Sequence, residues 1–288
     1  MIVAISGASG FIGQALVRKF QQKDWTFRLI GRDSFAMNNE EFSHNFIDGA
    51  DVVINLAGAP ISKKWTQEHK EELLTSRVNT TRKIAAAINM AERKPSVFIS
   101  ASAIGIYNST ETHTENNCSF ASNYLAKICI DWENEARAAG NSTRLVIFRL
   151  GLVLGVDGGA LKKLHRLFRA GLGGKLGSGE QPVSFIHIRD LVDAFIFAIE
   201  NENIKGVVNA VSPTPINNIE FTRNLAKVFG QPAIFTVPAF ALKWAYGEGA
   251  QVLLEGQKAV PEKLLQAGFK FNFPTIQSAL VYIFNLRS

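Results

Sequence analysis

Three local patterns in this sequence have residue types and spacings that could do chemistry. The first is Ser6-Gly7-Ala8-Ser9-Gly10-Phe11-Ile12-Gly13, set between a short apolar run and a helical repeat. In a strand–turn–helix, glycines at that spacing build a phosphate cradle. One permits the tight turn, one lets a pyrophosphate approach the backbone, and one lets the helix pack on the strand. The N–H groups that open the helix then face an anion. The second pattern is Gly31-Arg32-Asp33, at the end of the next strand signal. A carboxylate there grips an adenosine ribose and favours NAD, whereas an arginine meets a 2′-phosphate and favours NADP. Arg32 comes first, and Asp33 keeps the alternative open. The third is the pair Tyr107 and His187, candidate substrate contacts. Tyr107 lies in a loop after a predicted strand, where α/β ligand sites gather. His187 is a candidate general acid or base.

The elements that must position these groups alternate. Strands are predicted at Ile2–Ser6, Thr26–Ile30, 51–56, Ser96–Ser100 and Arg144–Leu150, and helices at Phe11–Phe20, Thr66–Glu92 and Phe120–Ala139, with a weak one near Glu40–Ile47. Strands that alternate with helices imply βαβ units and a parallel sheet. The second half is less regular. It reads as a helix at Leu161–Ala170, a strand at Val183–His187, a helix at Asp190–Glu200 and a strand at Gly206–Val211. Asn217 with Glu220 makes a capping-box-like helix start. Further helices are predicted at Phe240–Tyr246, Pro261–Ala267 and Thr275–Leu286. The glycine-rich run Gly171–Gly179 reads either as a substrate lid or as a surface loop that needs positive φ. Arg166, Arg169 and Lys175 flank it and admit an anionic substrate.

Composition narrows the classes. With 288 residues, 47% hydrophobic and 19% charged, the chain is globular rather than disordered. No apolar run has the length of a membrane span. Met1–Ile5 has no basic region before it, so no signal peptide is expected. The net charge of +6 fits either a solvated surface with some excess Lys and Arg or an anionic partner such as a nucleotide, a nucleic acid or a phosphorylated substrate. No Lys/Arg block or zinc-finger spacing points to nucleic acid. Cys118 and Cys129 stand outside any metal-ligand spacing, so no metal is expected. A reduced, cytoplasmic protein is the simplest expectation.

The turn at residues 6–13, Asn55-Leu56-Ala57-Gly58 and the run Phe98–Ala103 resemble the extended short-chain dehydrogenase/reductase superfamily. Lys64-Trp65-Thr66, the runs Thr75–Thr81, Gly171–Gly179 and Phe185–Leu191, and a C-terminal region at 239–285 narrow this to an NAD(P)-dependent epimerase-family branch. The match covers nearly the whole chain. It implies an α/β fold, a Rossmann-type doubly wound parallel sheet with a smaller C-terminal substrate lobe. Residues 1–155 would hold the dinucleotide and 156–288 the substrate, partly interleaved with the core. The implied cofactor is NADP, with NAD as the alternative. The matching cofactor positions are Gly7, Ser9, Gly10, Phe11, Ile12, Gly13, Gly31, Arg32, Leu56, Ala57, Gly58, Ser100 and Val153. Arg77 is a second candidate phosphate ligand, or equally a structural arginine.

The superfamily's chemistry uses Ser or Thr with Tyr-x-x-x-Lys. The lysine lowers the tyrosine pKa, so the hydroxyl can exchange a proton while hydride moves. By resemblance the catalytic set here is Ser102, Tyr124 and Lys127. The set departs from the pattern: four residues after Tyr124 stands Ile128, and Lys127 is three on, still on the same helix face. Two readings follow. One is an NADP-dependent oxidoreductase or nucleotide-sugar epimerase-like protein acting on a small polar substrate. The other is an NADPH-binding sensor or regulatory protein with degenerate catalytic residues.

Overall fold

The structure, a computed structural model, describes residues 1–285. Six parallel strands form the central sheet: β1 (Ile2–Ser6), β2 (Thr26–Ile30), β3 (Val52–Asn55), β4 (Val97–Ala103), β5 (Arg144–Leu150) and β6 (Gly206–Ala210). Their spatial order is β6-β5-β4-β3-β1-β2. The chain runs outward from β1 to β2, then returns to the other side of β1 for β3. This reversal is the topological switch point, and ligands of such sheets bind beyond the strand ends there. The turn at Gly7–Gly13 leaves β1 at that point, and Leu56–Gly58 leaves β3 beside it.

Period-two alternation assigns the two faces. Val3, Ile5, Val52 and Ile54 pack against Leu16 and Phe20 of α1 (Phe11–Gln21). Ala4, Val53, Phe98 and Ile147 pack on the other face, against Ile84 and Ile88 of α2 (Gln67–Met90) and Ala136 of α3 (Tyr124–Arg137). With both faces covered, the strands read as unbroken apolar runs rather than alternating ones. Helix α4 (Gly159–Arg169) follows β5. Helix α5 (Ile188–Glu200) leads into β6 and returns the second half of the chain to the sheet. Helices α6 (Asn218–Val228), α7 (Ala239–Tyr246) and α8 (Ile276–Asn285) complete the C-terminal part. Its own core joins Leu161 and Phe168 to Phe221, Leu225, Ile276 and Leu280. The helix expected to end at Leu286 is described as far as Asn285, so its predicted last residue lies outside the described residues.

Two expected boundaries move. Helix α3 begins at Tyr124 rather than Phe120, because the Asn123 side chain caps it by accepting from the Ala126 N–H at 3.0 Å. Asparagine is a strong cap, and residues before a cap stay extended. The expected strand at Val183–His187 splits in two. Pro182–Val183 pairs antiparallel with Ile216–Asn217, and Phe185–His187 pairs parallel with Leu152–Leu154. The Ser184 hydroxyl turns away to donate to the Gln257 carbonyl at 2.8 Å. The Asn217 cap forms as expected, its Oδ1 accepting from the Glu220 N–H at 2.8 Å. Among the described residues, no helix is long and apolar enough to cross a membrane.

Candidate functional site

Gly7 has φ +74°, and a Cβ on it would lie 2.7 Å from the Leu56 carbonyl carbon. Only glycine therefore lets the β1 turn pass against the end of β3. At Gly13 a Cβ would fall 2.3 Å from the Gly7 carbonyl oxygen, so any side chain there would hold α1 off the turn. The Gly10 N–H donates to the Gly7 carbonyl at 3.0 Å, closing the loop. Gly10 is also the N-cap of α1, with no side-chain cap and no acidic residue in the first turn. The first N–H groups of the helix thus have no intrahelical acceptor. Together with the helix dipole they form an anion site.

Side-chain hydrogen bonds fix the switch point. The Ser6 hydroxyl donates to Asn55 Oδ1 at 2.6 Å, and Asn55 Nδ2 donates to Thr81 Oγ1 at 2.7 Å. This chain ties the ends of β1 and β3 to α2. Arg77 lies directly behind the Leu56–Gly58 segment. Its guanidinium donates to the carbonyls of Leu73 at 3.0 Å and Ala59 at 2.9 Å, and packs over the Trp132 ring. Burial holds its pKa below the usual arginine value. Those bonds place Arg77 as a brace for the loop after β3, where the sequence had also admitted a phosphate ligand. Ser100 is fully buried, its hydroxyl donating to the Ala101 carbonyl. Val153 sits in the short strand beside Ile186.

At the end of β2, Arg32 caps a short helical turn, Asp33–Ala36, with its side chain exposed. Glu72 on α2 senses it. A hydrogen bond from His69 chiefly lowers the Glu72 pKa, and the charges of Lys63 and Arg32 add to this. Arg32 and Lys63 thus both lie near enough to Glu72 for their charges to act on it.

No hydrogen bond joins Ser102, Tyr124 and Lys127 among the described residues. Ser102, 1% exposed, donates its hydroxyl to the Glu133 carboxylate at 2.8 Å. Glu133 in turn holds Arg149 in a two-pronged ion pair at 2.7 and 2.8 Å, with both side chains buried. Arg149 also donates to the Tyr107 hydroxyl at 2.9 Å, and that hydroxyl donates to Asn209 Oδ1 at 2.7 Å. Tyr107 has no exposure at all, and burial pushes its pKa up to about 12. Its expected substrate contact is therefore corrected: it is a buried strut linking β5 to β6. Tyr124 donates its hydroxyl to the Lys70 carbonyl at 2.9 Å. Burial raises its pKa, and the Lys70 charge partly opposes this. Lys127 points to solvent, and Ile128 packs inward with Trp65, Leu73 and Tyr124.

Comparison with known proteins is decisive for the family. The NAD dependent epimerase/dehydratase family matches residues 3–210. The chain belongs to the NAD dependent epimerase/dehydratase family. A domain of unknown function, DUF1731, matches residues 237–283. The chain is similar to the chloroplastic epimerase family protein SDR39U1 homolog of Arabidopsis thaliana, 38% identical over 97% of this chain and 86% of that protein. It is also similar to the crystal structure of human epimerase family protein SDR39U1 (isoform 2) with NADPH. That match has a TM-score of 0.92 and 31% identity, and covers 99% of each chain. A nucleoside-diphosphate sugar epimerase from Corynebacterium glutamicum superposes with a TM-score of 0.80 at 29% identity, over 99% of this chain and 58% of that one.

Within this epimerase-family fold, one feature escaped the sequence. Lys70 lies 4.6 Å from the Tyr124 ring centre and pairs with Glu248 at 2.8 Å, so the cation beside this tyrosine comes from α2 rather than from α3. Only tertiary packing sets that pair, and no spacing signals it. His187, a candidate from the sequence, lines a cleft with Phe11 and Arg18 of α1, and that lining includes none of Ser102, Tyr107, Tyr124 or Lys127. Its Nδ1 caps α5 by accepting from the Arg189 N–H at 3.1 Å. Burial, with the Arg189 charge, lowers its pKa from 6.5 to about 4. Between those values the unfolded chain binds a proton that the folded chain refuses. The stability this histidine contributes is therefore complete above pH 6.5 and falls away as the pH drops towards 4. A His187→Gln variant is expected to flatten this limb, which urea melts across the window would measure.

Proposed function

We propose that this epimerase-family protein binds NADP(H) on the turn between β1 and α1. Its activity on this reading is that of an oxidoreductase or epimerase-like enzyme acting on a small polar substrate. Nucleotide-sugars are the first class to test. The observation that carries the reading is the turn itself: a Gly7 that only glycine can supply, against an uncapped α1 N-terminus. The donor set fits the group. Gly7, Gly10 and the first N–H groups of α1 would hold the pyrophosphate, and Arg32 with Lys63 the 2′-phosphate. The human relative solved with NADPH supports this assignment, and the Corynebacterium protein's name supports the substrate class. When bound, the dinucleotide supplies a hydride donor or acceptor. On this reading residues 1–155 hold the dinucleotide and the remainder forms most of the substrate wall. Arg77 fixes the loop after β3, and Tyr124 with Lys70 lines the wall facing α2.

NADPH is expected to raise the melting temperature more than NADH does, since only a ligand of the folded state stabilises it. Arg32→Glu should weaken NADPH binding by roughly tenfold to a hundredfold, the worth of one charge-assisted hydrogen bond to phosphate. NADH binding should change little. The absence of any shift with either nucleotide would remove the reading.

A second reading, a dinucleotide-binding regulatory protein, is favoured by one observation. The Tyr124 hydroxyl is engaged by a backbone carbonyl, its pKa is raised, and Ile128 occupies the usual lysine position. NADPH consumption with a panel of carbonyl compounds and UDP-sugars separates the two. Turnover that Tyr124→Phe abolishes would exclude the regulatory reading. Tight NADPH binding without turnover on any substrate would favour it.

A further inference from the structure

The most exposed large apolar side chains among the described residues are Trp244 at 83%, Phe240 and Ile234 at 76%, and Leu172 at 60%. They are spread along the sequence, and the fold gathers the segments that carry them. The strand Phe235–Val237 pairs parallel with Gly174–Leu176, with Phe235 opposite Gly174. A Cβ on Gly171 would meet the Gln231 side-chain oxygen at 3.2 Å, and the His165 ring meets the Phe229 ring edge-on at 5.3 Å. The Leu172 N–H donates to the carbonyl of Leu167, itself exposed, at 2.9 Å. Helix α7 follows the strand Phe235–Val237 directly and carries Phe240 and Trp244 one turn apart on one face. Leu242 is its buried residue, and the Tyr246 carbonyl accepts from the Trp65 N–H at 3.1 Å. These contacts hold the helix with its Phe240–Trp244 face outward.

Charge is sorted in the same place. The segments 159–179 and 221–247, which build this face, hold eight Lys and Arg and no Asp or Glu. The chain's net charge is +6, so its whole positive excess sits here and the remainder is slightly acidic. Arg166, Arg169, Lys227 and Lys243 are exposed, and none is in an ion pair among the described residues.

Exposed apolar side chains among unneutralised cations select their occupant. A second copy of the same face would bring like charges together. Single-stranded nucleic acid supplies negative charge, but it binds such surfaces by stacking bases on rings, and Ile234 and Leu172 have none. A bilayer with anionic headgroups supplies both halves. Its interface takes aromatic and aliphatic side chains, and its surface potential attracts each nearby cation. We infer that this face docks on an anionic membrane surface, with α7 lying in the plane of the interface and Trp244 at headgroup level.

The test is sedimentation of the full chain with vesicles of phosphatidylcholine alone, or of phosphatidylcholine with about a third phosphatidylglycerol. The chain should sediment with the anionic vesicles and not with the neutral ones, and high salt should weaken the binding. Trp244→Ser should weaken it about tenfold, from loss of one inserted aromatic side chain. Arg166→Gln with Arg169→Gln should weaken it by roughly thirtyfold, from loss of two cations near the surface. All three side chains are exposed, and melting curves verify that the variants fold. Arg18→Gln with Lys270→Gln removes two exposed cations outside the two segments, and should leave binding within about twofold if the face rather than net charge is responsible. Three results would overturn the inference. One is no sedimentation with anionic vesicles. Another is binding that Trp244→Ser leaves unchanged, or that the control pair weakens as much as the arginine pair. The third is a chain that ignores vesicles but binds a single-stranded oligonucleotide, or forms a dimer that Trp244→Ser dissociates, which would give the face a different occupant.

Discussion

Replacing Glu133 by alanine is expected to destabilise the fold by about 3–5 kcal/mol, the usual loss when one member of a buried ion pair is removed. Glu133 and Arg149 are 1% and 3% exposed and meet through two parallel bonds. Removing the carboxylate leaves the Arg149 charge with no acid to pair with. It also strips Ser102 of its acceptor, and unsettles Arg149 as donor to Tyr107. Since a domain's whole stability is about 5–15 kcal/mol, much of the protein should be unfolded or aggregated near physiological temperature. Urea denaturation at neutral pH measures the loss. Glu133→Gln should lose less, because it retains the shape and one acceptor. Acid offers an independent check. Burial pushes the Glu133 carboxyl up, but the bonds and charge of Arg149, with Ser102 and Arg137, outweigh it, so the folded pKa lies below the ordinary value of 4.5. The contribution is complete above the unfolded value and is lost as the pH falls through the lower folded one. In the Glu133→Ala chain that part of the acid limb should disappear. An unchanged midpoint and an unchanged acid limb would show that the pair carries no stability.

Gly7→Ala is expected to lower NADPH affinity by at least about a hundredfold, close to 3 kcal/mol. Two effects combine. A left-handed φ costs alanine about 1–2 kcal/mol, and the new methyl would stand 2.7 Å from the Leu56 backbone. Only a shift of the turn or of the β3 end relieves that overlap. The shift would move the N–H groups that define the anion site by a sizeable fraction of a bond length. Gly230→Ala is the matched control. It carries a similar φ of +61°, but nothing lies within 4 Å of its added Cβ. The control should lose a little stability and retain NADPH binding, as isothermal titration would show. If Gly7→Ala bound NADPH as well as the parent chain, the turn would not be the cofactor site.

Sequence by itself determined the sheet and the turn, and the reason is local. Strands buried on both faces read as apolar runs at Ile2–Ser6 and Val52–Asn55. The stripe of Leu16 and Phe20 and the cap at Asn217 depend only on neighbours a few residues away. The glycines at 7, 10 and 13 are a backbone requirement, and composition displays it directly. The start of α3 was also local, in the form of Asn123, but the apolar Phe120 masked it. Tertiary structure alone decided what the polar groups do. Ser102 and Tyr107 stand at the right strand end for chemistry, yet both are drawn inward by Glu133 and Arg149, which lie 16 residues apart on α3 and β5. Lys70 reaches Tyr124 from a helix 54 residues away in sequence. His187 lines a cleft against α1, formed by residues far from it in sequence. A side chain's role depends on burial and on partners that the fold brings in from distant segments. Periodicity reports which face a residue occupies, and carries no record of what it meets there.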